Sequence, residues 1–182
     1  MHSTVRTLLA SAVATLVVAV PALPAHASSS TGKDKDDVAT PLDLASAKLS
    51  TKGNKIVAVI STHDAFTDED LAAPSALGID FRLDARTVRG IAVRVVDGTV
   101  TGQVCTYEDG GPVLGAKCSD VSAKRVDDRT VTFTVKRSKV SKAKVLRWRA
   151  GALYFAGDCT SNPVKCLDTF PQGAKAYKRW TV

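Results

Sequence analysis

The longest regular pattern in the chain lies in residues 130–155, where apolar and polar positions alternate. Valine and phenylalanine alternate with threonine and lysine over residues 130–136, and apolar residues alternate with arginine over residues 146–150. A period of two is typical of a strand with one buried face. The pattern therefore predicts two long strands joined by a basic connection at residues 137–144, with Trp148 facing the core.

Six further segments show a strand pattern, and each is bounded by turn residues. They are residues 42–49, 56–62, 77–83, 91–95, 99–107 and 118–126. The turn signal at residues 52–54 and the dipeptide Asp97-Gly98 predict tight hairpins. About eight strands at this spacing predict an all-β fold, an antiparallel β-sandwich with at most one or two short helical turns.

The first 27 residues have the plan of a secretory signal peptide. Arg6 precedes an apolar run at residues 8–20, and Ala25-His26-Ala27 offers the small residues of a cleavage site. The run is shorter than the ~20 residues that a membrane span requires, and no second long apolar run follows. We therefore expect a secreted chain that is cleaved after Ala27 and has no membrane span after cleavage.

The remainder of the chain divides into a leader and one domain. Residues 28–40 are rich in Ser, Gly, Lys and Asp, a composition that predicts a flexible leader. Residues 41–182 form a single β-sandwich domain in this interpretation. The leader contains Asp34, Asp36 and Asp37, but it lacks the glycine and the distal glutamate of a calcium loop, so the spacing does not predict one.

All four cysteines follow the predicted signal, and in an exported chain an even number predicts disulfides. Three pairings are possible. We favour the sequential one, Cys105 with Cys118 and Cys159 with Cys166, because it closes two short loops that are rich in turn residues. A metal or redox site is the alternative, but the sequence has no CxxC pair.

Positive charge is concentrated in the second half of the chain. Residues 117–149 hold 11 basic and three acidic residues. One interpretation is that these side chains cover the solvent faces and edges of strands. The other is a patch that attracts polyanions such as wall polymers or nucleic acid. The candidate patch consists of Lys136, Arg137, Lys139, Lys142, Lys144, Arg147 and Arg149.

Seven short sequence segments lie at residues 41–44, 61–66, 68–71, 81–84, 131–138, 147–150 and 168–171. Together they resemble secreted β-sandwich domains of actinobacteria near the family 9 carbohydrate-binding and DOMON groups. The resemblance covers about residues 42–171. It implies a two-sheet antiparallel sandwich and, by analogy, a non-catalytic module that binds a ligand.

The chain departs from those groups in the residues that bind their ligands. Family 9 sugar binding uses paired aromatic side chains, whereas this chain has Trp148, predicted in the core, and Trp180 in a basic tail. Haem binding of the DOMON kind needs an axial Met or His. Met1 is the one methionine, and His63 is the one histidine after the signal. We therefore expect no cofactor.

Catalytic signatures are absent from the sequence. No GxSxG motif accompanies His63, and the acid pair Asp68 and Asp70 would need an aromatic-lined cleft, which a chain with 5% aromatic residues is poorly equipped to build. We expect no enzyme activity.

Three acids at strand ends or in loops are candidates for a calcium site that ties the termini of the sandwich together. They are Asp43, Asp64 and Asp168. Ordinary turn and cap chemistry is the alternative explanation for all three, and it is the preferred one because aspartate is a standard turn residue.

These observations predict a secreted non-catalytic module whose extracellular ligand, a carbohydrate or another cell-surface component, is not identified by the sequence. Two other functions remain open. The basic patch could bind an anionic polymer electrostatically. A stapled loop between Cys105 and Cys118 could instead present a proteinase inhibitor segment.

Overall fold

The computed structural model describes residues 27–109, 117–173 and 176–182, and in these residues the protein is mostly antiparallel β-structure with almost no helix. The eleven strands are β1 (Ser29–Lys33), β2 (Leu44–Lys52), β3 (Lys55–Thr62), β4 (Ala76–Arg82), β5 (Thr87–Val96), β6 (Thr99–Glu108), β7 (Lys117–Arg125), β8 (Thr130–Lys136), β9 (Val145–Leu153), β10 (Leu167–Phe170) and β11 (Lys178–Thr181). One helical turn, α1 (Arg137–Val140), follows β8, and two 3₁₀ turns, Gly157–Thr160 and Pro163–Cys166, precede β10.

The strands form one sheet that is nearly closed into a barrel. Their spatial order is β1-β2-β3-β8-β7-β6-β5-β4-β9-β10, and β11 pairs with β9 beside β10. The two strands predicted from residues 130–155 are therefore not neighbours, because α1 and the following residues carry the chain across one end of the barrel. Val140 of α1 is buried there, and Arg89 donates hydrogen bonds to the carbonyls of Lys139 and Val140 at 2.7 and 3.3 Å.

The inward faces of the strands build one apolar core, as their alternation predicts. Trp148 is fully buried, which confirms its predicted orientation, and its Nε1 donates a hydrogen bond to Ser30 Oγ at 3.0 Å. Its ring packs against Phe170, with ring centroids 6.2 Å apart. Trp180 is also buried, so it is a core residue and not part of an exposed tail.

The all-β class is confirmed, but the predicted count of strands is too low and the two-layer sandwich is not confirmed. The eight predicted strands correspond to β2 through β9. The three that the sequence did not reveal, β1, β10 and β11, have four or five residues each, too few for a period of two to be recognised.

The amino-terminal segment also differs from the expectation. Residues 29–33, expected to belong to a flexible leader, form β1, which pairs with β2 along its whole length. Ser30 and Gly32 face the core, and a side chain on Gly32 would collide with the Phe170 ring. Backbone pairing with β2 and the close fit of these small inward residues therefore hold the segment in the sheet, although it has few apolar side chains. The predicted signal peptide, apart from Ala27, lies outside the described residues.

Local predictions about turns and disulfides are confirmed. The β2–β3 and β5–β6 hairpins turn at the predicted positions, where Gly53, Asp97 and Gly98 all have positive φ. Both disulfides have the sequential pairing, Cys105–Cys118 and Cys159–Cys166. In the described part of the chain, no helix is long and apolar enough to cross a membrane.

Candidate functional site

In one group of strands of the sheet, lysine is the sole charged residue type. Strands β1, β2, β3 and β8 contain no Asp, Glu or Arg. We use "lysine face" for the outward side chains of these strands together with residues 122–124 of β7. Its six lysines, all exposed, are Lys33, Lys48, Lys52, Lys55, Lys124 and Lys136.

Three of these lysines stand side by side on neighbouring strands. Lys52 of β2 is opposite Lys55 of β3, and Lys55 is opposite Lys136 of β8. Like charges in directly opposed positions of a sheet repel and destabilise the pairing. Because β3 and β8 lie inside the sheet, protection of a strand edge does not explain this row.

A shallow groove of about 710 Å³ crosses the lysine face. Its floor is formed by valine and threonine side chains of β3 and β8, and Lys52, Lys55 and Lys124 stand around it. Both strands are interior, so their backbone groups are paired and the floor presents side chains. The groove is therefore an open, positively charged surface with hydroxyl groups at its base.

The basic patch predicted from residues 136–149 is divided among several places. Lys136 belongs to the lysine face, and Arg137 and Lys142 line an adjoining depression of about 320 Å³ at the end of the barrel. Lys139 Nζ donates to Ser119 Oγ and to the Asp120 carbonyl, both at 3.1 Å. Lys144 is exposed in the connection before β9.

Two of the three arginines of the predicted patch, Arg147 and Arg149, lie on β9, away from the lysine face. Arg147 is exposed there. Arg149 Nη2 forms ion pairs with Asp80 at 2.9 Å and with Asp109 at 3.5 Å. Arg149 is thus a member of an ionic network, and its charge is neutralised.

That network lies on the outer face of β4, β5, β6 and β9 and is built from Arg, Asp and Tyr side chains. Asp80 accepts hydrogen bonds from Arg149 Nε at 3.0 Å and from the Tyr107 hydroxyl. Asp109 pairs with Arg82 at 3.0 Å, and the guanidinium groups of Arg82 and Arg149 both pack on the Tyr177 ring. The members of this network hold one another in place.

The electrostatics of the network match this geometry. Burial and the neighbouring Asp80 carboxylate raise the pKa of the Tyr107 hydroxyl far above its usual range. Burial also raises the pKa of Tyr177 to about 12. Burial by itself would lower the pKa of Arg149, but Asp80, Tyr177 and Asp109 together outweigh it and raise that pKa. At neutral pH both tyrosines are therefore neutral and Arg149 is charged.

A small groove of about 250 Å³ runs beside the network on the same face. Gly78, Gly90 and Gly151 lie on its floor, and Leu153 and Leu167 form an apolar wall. A methyl group on Gly90 would come within 2.5 Å of the Tyr107 hydroxyl oxygen, whereas one on Gly151 would meet nothing closer than 3.8 Å. The groove thus exists because these three glycines have no side chain to fill it.

Two of the three predicted calcium residues meet where the connection between β1 and β2 approaches β10. Asp43 and Asp168 are buried, and one carboxylate oxygen of each lies within 4.8 Å of the others and of an oxygen of Asp37. We call Asp37, Asp43 and Asp168 the seam cluster. Asp168 Oδ2 accepts a hydrogen bond from the Leu44 amide at 2.8 Å, which fixes β10 to β2.

Burial raises the pKa of both buried acids of the seam cluster. Burial is the main cause that raises the pKa of Asp168 to about 7, and the negative charges of Asp34 and Asp43 add to it, while the Leu44 amide opposes it. Burial also raises the pKa of Asp43, against the lowering effects of hydrogen bonds and of His63. The sequence marked Asp43 and Asp168 as calcium candidates, whereas it considered Asp37 only with Asp34 and Asp36 of the leader, where the spacing did not predict a calcium loop.

The remaining candidate residues lie elsewhere. Asp64 is exposed and outside the seam cluster, and His63 Nε2 is buried without a hydrogen-bond partner in the described residues. Asp68 pairs with Arg125 at 2.8 Å, and Asp70 accepts from the Thr67 amide at 2.8 Å. The structure therefore gives the acid pair Asp68 and Asp70 separate local partners.

Most of the loop between the first two cysteines, residues 110–116, lies outside the described residues. The inhibitor function suggested for this loop therefore stays a prediction, and slowing of serine proteinases by the protein would test it.

Comparisons of the chain with models of protein families, with curated proteins and with solved structures give no match. The resemblance to family 9 carbohydrate-binding and DOMON domains accordingly stays a prediction.

Proposed function

We propose that this chain is a secreted, non-catalytic binding module that holds an anionic polymer at or beyond the cell surface through its lysine face. The observation that carries the proposal is the row of Lys52, Lys55 and Lys136 on neighbouring strands without a carboxylate beside it. Such a row costs folding stability unless an anion binds to it. A bound polyanion converts this repulsion into attraction.

The composition of the face also favours this ligand. Lysine is a compact, strongly hydrated charge that remains available to phosphate and carboxylate groups, whereas arginine readily forms fixed pairs with carboxylates. None of the ion pairs within the described residues involves a lysine.

The floor of the groove narrows the class of polymer. Nucleic-acid single strands are usually held by aromatic side chains that stack on the bases. Phe133, the one aromatic residue of β1, β2, β3 and β8, is buried in the core. The face therefore fits a phosphodiester or polycarboxylate chain without bases, such as a cell-wall polymer.

Export is part of the proposal and has three supports. The two disulfides are consistent with an oxidising compartment. The first 27 residues have the pattern of a signal peptide, and no helix of the described residues could span a membrane.

The test is retention on immobilised long-chain inorganic polyphosphate at increasing salt. We expect log affinity to fall linearly with log salt, because each phosphate contact releases a counterion. The variant Lys52→Ser/Lys55→Ser/Lys136→Ser should lose three contacts, so its slope should be smaller by ~2, at roughly 0.7 per contact.

A control variant with the same loss of charge is Lys35→Ser/Lys117→Ser/Lys165→Ser, whose lysines are exposed but lie off the lysine face. It should retain most of the wild-type slope. Equal losses in the two variants would show that only net charge matters and would contradict the proposal, as would absence of polyphosphate binding at low salt.

A second candidate ligand, a small neutral molecule such as a sugar unit, is favoured by the glycine-floored groove of about 250 Å³. Its apolar wall and its polar end at Asp80 and Tyr107 suit a ligand with one apolar and one hydroxylated side. Binding there should hardly respond to salt and should be blocked by Gly151→Leu. Titration against a panel of soluble glycans tests it.

A further inference from the structure

The seam cluster contains a buried carboxylate oxygen that has no hydrogen-bond donor in the described residues. Asp43 is 1% exposed, and its Oδ2 accepts a hydrogen bond from the Asp37 amide at 3.2 Å. Its other oxygen, Oδ1, has no hydrogen-bond partner in the described residues. A buried carboxylate oxygen without a donor is costly, since it has lost its water and gained nothing in return.

The neighbouring groups balance the negative charge of the seam cluster only in part. No ion pair within the described residues involves a carboxylate of the seam cluster. Asp34, close enough to Asp168 to raise its pKa, adds a further negative charge and has its own buried oxygen without a partner. Gln172 donates one amide hydrogen bond to Asp37 at 2.5 Å, and the two buried acids are offset only in part, by backbone amides and by the neighbouring His63.

We propose that the seam cluster is a binding site for a divalent cation of the calcium type, with Asp37, Asp43 and Asp168 as ligands. One carboxylate oxygen of each of the three acids lies within 4.8 Å of the other two, and hard cations prefer oxygen ligands. The cluster contains no sulfur or nitrogen ligand, a composition that favours calcium over zinc.

The position of the site gives the cation a structural effect. Asp168 belongs to β10, near one end of the sheet, whereas Asp37 and Asp43 lie in the connection between β1 and β2 at the other end. A cation held by all three bridges the gap where the sheet does not close by strand pairing. The cation therefore links the two edges of the sheet to each other.

The test is thermal unfolding of the purified full-length chain in EDTA and in excess calcium chloride, together with calorimetric titration of calcium alone. At a calcium concentration about 100-fold above Kd we expect Tm to rise by about 5 to 10 °C, with one ion bound per chain. Magnesium should give a smaller rise because it requires a stricter octahedral geometry.

Two variants and a matched control locate the effect. Asp43→Asn and Asp168→Asn should abolish the calcium-dependent rise. In EDTA both should remain folded, because an asparagine oxygen can still accept the Asp37 or Leu44 amide hydrogen while a repulsive charge is removed. Asp64→Asn removes an exposed neighbouring charge outside the cluster and should leave the rise unchanged.

The alternative is that Asp43 and Asp168 share a proton and bind no metal. A Tm that is the same in EDTA and in calcium, or a calcium-dependent rise that survives in both Asp43→Asn and Asp168→Asn, would overturn the proposal.

Discussion

The two halves of the sheet carry positive charge in different ways. Strands β1, β2, β3 and β8 hold lysine and no other charged residue, whereas β4, β5 and β9 hold arginine and no lysine. The lysines are exposed, while Arg82 and Arg149 are largely buried in pairs with Asp80 and Asp109. In the arginine half Arg82 and Arg149 use their charge to hold their own surface together, although Arg147 is exposed, and the lysine half leaves its charge available to a ligand.

The largest expected effect is on the arginine half. Asp80→Ala should lower the free energy of unfolding by about 3 kcal/mol, because Arg149 and Tyr107 lose a shared, partly buried acceptor. Lys55→Ala should change it by less than about 0.5 kcal/mol. Urea unfolding of both variants measures the difference, and equal effects would erase the contrast between the halves.

The next effect tests whether glycine is needed beside the network. Gly90→Ala should cost about 2 kcal/mol, because the added methyl group would meet the Tyr107 hydroxyl at 2.5 Å and Asp80 at 2.8 Å. Gly151→Ala, in the same groove, meets nothing closer than 3.8 Å and should be close to neutral. A neutral Gly90→Ala variant would show that the network tolerates displacement.

The seam between the halves should make stability depend on pH when no metal is present. The pKa of Asp168 is raised to about 7 in the folded protein, above its ordinary value of 3.8 in the unfolded chain. Between these values the folded state binds more protons, so stability should fall as pH rises from about 4 to 7.

Thermal unfolding in EDTA across this pH range measures that dependence. Asp168→Asn should flatten the profile, whereas Asp64→Asn should leave it as it is. A wild-type stability that rises over the same interval would contradict the assignment of the raised pKa.

The smallest effect concerns the lysine row. Lys55→Ser removes the central charge between Lys52 and Lys136 and should stabilise the protein by about 0.5 kcal/mol at low salt. The gain should disappear at high salt, because screening removes the repulsion. If Lys55→Ser destabilised the protein at low salt, repulsion among the three lysines would not be lowering its stability.

The sequence predicted much of the fold because strands with one buried face have a period that is visible over seven or more residues. The eight strands from β2 to β9 were accessible in this way, whereas the hairpin turns were predicted from turn residues and the disulfides from the short loops between consecutive cysteines. Strand β1 was not, because Ser30 and Gly32 face inward where apolar residues would be expected. Closure of the sheet depends on such short strands, so the sandwich prediction did not anticipate it.

The candidate sites were harder to predict because they depend on which strands become neighbours. A search for a local run of charge found residues 117–149 and missed Lys48, Lys52 and Lys55, which lie outside that run. The signal that was available is the absence of Asp, Glu and Arg from four predicted or short strands. Asp43 and Asp168, 125 positions apart, could be suspected individually, but only the topology brings them to Asp37.

The most direct test of the functional difference between the halves is a lysine footprint. Amine acetylation of the protein, with and without long-chain polyphosphate, can be followed at each lysine by mass spectrometry. We expect polyphosphate to protect Lys52, Lys55 and Lys136 strongly, and to leave Lys35 and Lys165 as reactive as in the free protein. Uniform protection of all lysines, or protection that spares the row on β2, β3 and β8, would contradict the account.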